Sequence, residues 1–325
     1  MLIFKKYQLI YSIVFLILTV YIGLSFGSFF INIVNADSFK GILEQIIILR
    51  AYRVLTAFIV GGALAVAGTA YQAVLRNPLA EPFILGISGG ASIGAAVAII
   101  FGVVSLSYFS LPLFAFVGAI VVLSIVLILS RGKGVEYSNN VMLSGIIVGS
   151  LCSSILMFII STLGEYKLNS ITWWMLGNLQ PVNIELLIVV GIIVVLGTFI
   201  LFLYGRSINV ISLGEEMAYY LGISPLRLAI IVLSIASLLT AAVVSLSGII
   251  GFVGLIVPHI LRRFLGTNHR RLFPLAFIYG GIFMILCDTF ARTIMSPQVI
   301  PVGVVTALVG GPFFLWVLNK KRSRI

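Results

Sequence analysis

Two arginines three residues apart, Arg50 and Arg53, stand where a polar segment gives way to a long apolar run. On a helix this spacing puts both guanidinium groups on one face. At the edge of a hydrocarbon layer they are costly unless they reach water or a partner. Two readings follow: snorkelling to the interface, or a bidentate, salt-sensitive dock for carboxylates of another protein. A third arginine, Arg292, closes the run Asp288-Thr-Phe-Ala-Arg292. A second charged feature, Glu215 with Glu216, opens a helix-like part of segment 211–225, ISLGEEMAYYLGISP. The acids favour a helix N-terminus, Gly222 suits the C′ position, and Pro225 suits the first turn of the next helix. Met217, Tyr220 and Leu221 then form an apolar face. That face either lies on the bilayer or fits a cleft on a soluble protein.

Bond-making chemistry lacks comparable support. There is no HExxH or CxxC, and Gly132-Lys133-Gly134 lacks the GxxxxGK[ST] frame that cradles phosphate. The two histidines, His259 and His269, have no acidic residue beside them, so packing or hydrogen bonding is the better reading than metal ligation. Cys152 and Cys287 fall inside apolar runs and read as small buried side chains. No cofactor is expected on this chain, and any energy source must come from another one.

What must position these residues is a set of membrane helices. The chain of 325 residues is 61% hydrophobic and 9% charged, against about 25% charged in a soluble domain. Its mean hydropathy is +1.23. A spanning helix needs about 20 apolar residues, and ten candidates occur at 7–29, 54–74, 84–104, 111–130, 141–163, 184–204, 226–246, 254–265, 272–291 and 302–318, the eighth short. The first is longer than a signal-peptide core and no small-residue cleavage site follows, so it is expected to be retained. With the N-terminus cytoplasmic, fifteen of the 20 Lys and Arg residues fall inside, leaving Lys40, Arg50, Arg53, Lys167 and Arg292 outside. Both termini are then cytoplasmic, and the net charge of +11 is explained without nucleic acid. No stretch between spans is long enough for a soluble domain, so 1–325 reads as one transmembrane domain.

Within the second span Gly61, Ala65, Gly68 and Gln72 share a helix face, so another backbone can approach closely there. The turn that follows holds Arg76, Asn77, Pro78, Glu81 and Pro82, and it resembles the RNPLA-x-P-x-x-LG signature of the FecCD-type permeases, which serve bacterial importers of iron complexes, haem and vitamin B12. Further matches run in order along 50–318. Arg50-Ala-Tyr-Arg53 resembles R-x-P-R, with Tyr52 at the proline, and Asp288 to Arg292 resembles D-x-x-AR. The segment Leu213 to Gly222 resembles LG-x-x-x-A-x-x-LG. Residues 248–274 resemble G-x-IGF-x-GL-x-x-PH-x-x-R with G-x-x-HR-x-x-x-P, Asn268 taking a place where the family often has aspartate. Residues 298–313 resemble E-x-P-x-G-x-x-T and G-x-P-x-F, with Val299 at the glutamate.

The resemblance implies an all-α bundle like the vitamin B12 importer permease, acting as the transmembrane subunit of an ATP-driven importer of a metal chelate. It implies that Arg50, Arg53 and Arg292 meet glutamates of an extracytoplasmic substrate-binding protein. Coupling to the ATPase falls to segment 207–225, with Leu213, Gly214, Glu215, Glu216, Met217, Ala218, Tyr220, Leu221 and Gly222. ATP and Mg belong to two partner ATPase subunits, and a second permease copy completes the pathway in the cell membrane. His269, Arg270 and Arg271 are expected on the cytoplasmic side, near lipid phosphate or the ATPase. Ser144, Gly145, Gly149 and Ser153 of the fifth span, with Gly248, Gly251 and Gly254, are expected to line or gate the pathway, although helix packing alone explains the same pattern. The rival function, a secondary transporter or channel driven by an ion gradient, wants intramembrane charge pairs that the sequence scarcely offers.

Overall fold

The computed structural model describes residues 2–32, 41–130, 135–180, 183–212 and 214–322. Among them lie twelve α-helices: α1 Leu2–Ser25, α2 Ile42–Val74, α3 Ile87–Ile100, α4 Ser110–Leu129, α5 Val135–Ser161, α6 Glu165–Met175, α7 Ile184–Ile211, α8 Glu215–Tyr220, α9 Pro225–Ser247, α10 Val253–Leu265, α11 His269–Thr293 and α12 Val302–Arg322. Ten correspond to the spans expected from the sequence; α6 and α8 are additional. Six of the ten are long and apolar enough to cross a membrane by themselves, with shorter apolar stretches at 10–25, 87–100 and 302–317.

Burial sorts the long helices into two layers. In α2, α9 and α11, 83%, 72% and 67% of the apolar window is buried, against 28%, 22% and 33% in α4, α5 and α7. The inner three also have lower or middling hydropathy, 1.8, 2.5 and 1.8, while α7 reaches 3.2. A helix surrounded by protein gains from small residues that let backbones close up; one facing hydrocarbon gains from bulk. Exposed side chains such as Ile146, Ile147 and Phe158 of α5 and Ile192, Val195 and Phe199 of α7 follow that logic.

The face read from Gly61, Ala65, Gly68 and Gln72 is where α2 meets its neighbours. A Cβ on Gly61 would overlap the Gly280 carbonyl of α11, one on Gly280 would overlap the Gly61 carbonyl, and one on Gly68 would overlap the Gly254 carbonyl of α10. Gln72 Nε2 donates to that same Gly254 oxygen at 3.0 Å.

Two boundaries differ from expectation. Helix α2 begins at Ile42, so Arg50 and Arg53 lie inside a 33-residue helix, not just ahead of one. At 1.5 Å per residue it is about 50 Å long, well beyond a core of about 30 Å. Its first turns therefore extend past the stretch that hydrocarbon can cover. The region 164–183, read as a connection, contains α6, anchored by Lys167 Nζ on the Ile100 carbonyl at 3.0 Å and by Ile171 packed with Ala96 and Leu156.

Candidate functional site

At one end of the bundle, α2 and α11 bring the three singled-out arginines together around a residue that had been noted only as part of a motif. Asp288 Oδ1 lies 2.8 Å from Arg53 Nη2 and 2.9 Å from Arg53 Nε, and Oδ2 lies 2.9 Å from Arg292 Nε. Arg292 Nη2 also donates to the Gly23 carbonyl at 3.0 Å. Arg50 uses a different set of acceptors at the end of α1: Nη1 donates to Leu24 O and Ser25 O at 2.9 and 3.0 Å, Nη2 to Phe29 O at 2.9 Å, with the guanidinium over the Phe29 ring. All four charged residues are buried, Asp288 to 1% exposure and the arginines to 6–9%. Two guanidinium groups share one carboxylate and the third, Arg50, is held by carbonyls, so the cluster keeps a net charge of two positives. The i,i+4 spacing of Asp288 and Arg292 signalled their pairing; no local signal reaches Arg53.

The opposite end holds the other candidates. The turn after α2 opens with Arg76 at φ 49°, a positive value costly for a side-chain-bearing residue. Asn77 Oδ1 then accepts the Leu79 N–H at 2.9 Å, an Asx turn, and Pro82 starts a single 3₁₀ turn, Pro82–Leu85. This turn is a hub. A Cβ on Gly254 would press on the Pro82 ring, and one on Gly145 of α5 would overlap the Ile84 carbonyl, with Gly149 lying against Gly86. Glu81 accepts the backbone N–H of Phe252, itself at a positive φ of 69°. Burial there pushes the Glu81 carboxyl above the ordinary carboxylate range, opposed by that hydrogen bond.

The candidate pathway residues thus divide. Gly145, Gly149 and Gly254 pack against the hub. Gly248, at φ 70°, lies where a Cβ would overlap the Trp174 carbonyl in the last turn of α6, and Gly251 has open space beside it. Ser153 is exposed and bonds back to the Gly149 carbonyl at 3.0 Å, and Ser144 is half-buried. His259 sits between the rings of Phe313 and Phe314, at 6.0 and 5.9 Å. Among the described residues no three His, Cys, Asp or Glu side chains are grouped to hold a metal ion.

Segment 211–225 forms α8 between α7 and α9. Gly214 enters it at φ 132°, and the exit is a complete Schellman motif: the Gly222 N–H bonds Tyr219 O at 3.0 Å and the Ile223 N–H bonds Ala218 O at 2.9 Å, with Gly222 at φ 74°. Ala218 is fully buried and fastens the helix, while Met217, Tyr220 and Leu221 are exposed, Tyr220 to 85%. Glu216 is exposed too. Leu213 and the side chain of Glu215 lie outside the described residues.

The profile of the FecCD transport family matches residues 13–320. The chain is 38% identical over 276 residues to the ABC transporter permease protein YvrB of Bacillus subtilis strain 168, itself uncharacterized, covering 84% of this chain and 78% of that protein. It is 36% identical to the hemin transport system permease protein HmuU of Yersinia pestis, covering 85% and 83%, and 36% identical to the cobalamin import system permease protein BtuC of Halobacterium salinarum, covering 85% and 73%. A solved structure described as an inward-facing metal-chelate type ABC transporter superposes with a TM-score of 0.85 at 31% identity, over 96% of this chain and 98% of that one.

Proposed function

The chain belongs to the FecCD transport family and is a multi-pass permease subunit of an ABC importer, a transport component of a prokaryotic cell membrane and not an enzyme; from that premise we propose that its cargo is a metal chelate delivered by a substrate-binding protein. Relatives named for hemin, cobalamin and Fe(3+)-citrate transport support that class of cargo. In this reading the end carrying α8 is cytoplasmic and the arginine cluster faces outward. Two copies enclose the pathway, and two ATPase subunits bind ATP and Mg beneath them.

The observation that carries the reading is α8. A six-residue helix offers no stability of its own, yet here it is pinned by a buried alanine and a Schellman exit while its aromatic side chains stand in the open. That is the form of a knob made for a cleft. The purified chain is expected to hydrolyse no ATP, and its partner ATPase to be stimulated when the two are combined. Lysine at both Glu215 and Glu216 should uncouple or detach the ATPase while the chain still elutes as folded protein. Hydrolysis and co-purification that survive this double change would remove the coupling role from α8.

The outward cluster supports the docking half of the proposal through its charge. A net two positives at one mouth attract an acidic partner and raise its on-rate in a salt-dependent way. Arg50 is the cleanest probe, because its partners are carbonyls and no carboxylate is stranded by its loss. Arg50→Gln is expected to weaken binding-protein capture by a few-fold, through the loss of one positive charge from the field at this mouth. The deficit should shrink at high salt. Capture unchanged at low salt would assign Arg50 to anchoring α1 alone.

A further inference from the structure

A groove of about 690 Å³ lies between α1, α10 and α11. Apolar side chains such as Ile256, Val257, Ile260, Phe283 and Leu286 line most of it. Phe15, Ile260 and Leu286 are 41%, 38% and 37% exposed, so it is an open groove and not an internal void. Its hydroxyls are those of Tyr11 and Tyr279, and the Tyr279 oxygen is taken up by Ser12 Oγ, which donates to it at 3.2 Å. Among the described residues its one charged lining residue is Arg263, in the last turn of α10.

Arg263 stands at the end of the groove nearest α8. The adjacent Arg262 donates to Gln72 Oε1 and to the Thr69 carbonyl near the end of α2. The start of α11, at His269, is bonded to Asn209 near the end of α7, the helix that leads into α8. At 1.5 Å per residue the groove runs about 14 Å along α10 from Leu265 back to Ile256. That is the depth of one leaflet, half of a hydrocarbon core of about 30 Å. A membrane-crossing helix of another chain would need a groove about twice as long. Arg263 itself is exposed, and its guanidinium makes no hydrogen bond or ion pair to a described residue. A free cation at the mouth, with apolar side chains below it to one leaflet's depth, is the polarity profile of an anionic lipid.

We propose that this groove binds one anionic phospholipid of the leaflet at the α8 end, with its phosphate at Arg263 and an acyl chain laid along α10 between α1 and α11. The guanidinium fork matches a phosphate in charge and in geometry. The apolar lining removes chain methylenes from competing contacts with bulk lipid through close packing. A zwitterionic phospholipid has the same chains and phosphate without the net charge, so it enters the same groove more weakly. The proposal needs a membrane protein and nothing from the cargo or docking readings.

The full-length chain, delipidated in detergent, is titrated with dioleoyl phosphatidylglycerol or dioleoyl phosphatidylcholine. Native mass spectrometry counts lipid adducts and chains per particle, and thermal unfolding reports protection. Phosphatidylglycerol is expected to saturate at one tightly held molecule per chain and to raise the unfolding temperature. It should bind about fivefold more tightly than phosphatidylcholine, the factor for one arginine beside an anionic lipid. Arg263→Gln should erase that preference and keep the phosphatidylcholine binding. Arg227→Gln, at an exposed arginine of α9 outside the groove, should leave the preference intact. Leu286→Trp fills the groove from α11 and should weaken both lipids about tenfold; if that variant does not fold, Ile260→Trp fills it from α10. Glycerophosphoglycerol, the headgroup without chains, should give no protection. Unsaturable adducts, equal affinity for the two lipids, a preference that survives Arg263→Gln, or protection by the headgroup alone would overturn the proposal. So would filled variants that bind lipid like the parent chain, or that lose a second copy and no lipid, which would give the groove to a protein contact.

Discussion

Asp288→Ala is expected to abolish most folded protein. Removing one partner of a buried ion pair costs about 3–5 kcal/mol, because the charge left behind is neither solvated nor paired. Here two guanidinium groups, Arg53 and Arg292, lose their shared carboxylate at once. A loss of that size is a large fraction of the 5–15 kcal/mol or so by which domains are stable. Asp288→Asn keeps the shape and one acceptor oxygen and should fall between. The check is the fraction of monodisperse protein in detergent and its unfolding temperature. An Asp288→Ala chain that is as stable as the parent would mean that both arginines find water or other acceptors, and that the triad does not join α2 to α11.

The same cluster carries structural and docking roles, and they can be separated. Replacing Arg53, Asp288 and Arg292 together with apolar residues of similar volume removes the buried charges without stranding any, a change that is often neutral or stabilising. Such a chain should recover the fold lost by Asp288→Ala while halving the outward positive charge, since Arg50 remains. Charge reversal at Arg53 alone is a poor docking probe for the same reason: a glutamate there would face Asp288, and lost docking would be confounded with lost packing.

The parts of this molecule legible in its sequence are those set by local pattern. Apolar length located ten of the twelve helices, and the spacing of Gly61, Ala65, Gly68 and Gln72 located the face on which α10 and α11 close against α2. Gly222 at φ 74° ends α8 as its type suggested. The start of α2 was not visible, since Glu44, Arg50 and Arg53 interrupt the apolar run and length criteria see hydrocarbon, not helix. Helix α6 was missed because its eleven residues include Glu165 and Lys167, and what holds it is contact with α3 and α5. Asp288 as the partner of Arg53, 235 positions away, belongs to tertiary structure, where a single sequence without relatives carries no register.

Gly280→Leu is expected to destroy the contact on which the inner layer rests. Gly61 and Gly280 face one another so closely that a Cβ on either overlaps the carbonyl oxygen of the other, and backbone cannot rotate aside as a side chain can. Ala at this position already forces α2 and α11 apart. Overpacking in a dense interior costs about 1–3 kcal/mol and sometimes more, and three further heavy atoms make Leu worse. Gly191 of α7 supplies the control: a Cβ there would meet only the tip of Ile59 at 3.6 Å, an ordinary contact. Gly191→Ala should be neutral, or stabilising by up to about 1 kcal/mol through helix propensity. The two alanine variants, measured side by side by thermal unfolding in one detergent, are therefore expected to move in opposite directions or to differ by several degrees. Equal effects would mean that the α2–α11 approach is slack enough to admit a methyl group, and the small-residue face would then be a consequence of membrane composition and not of packing.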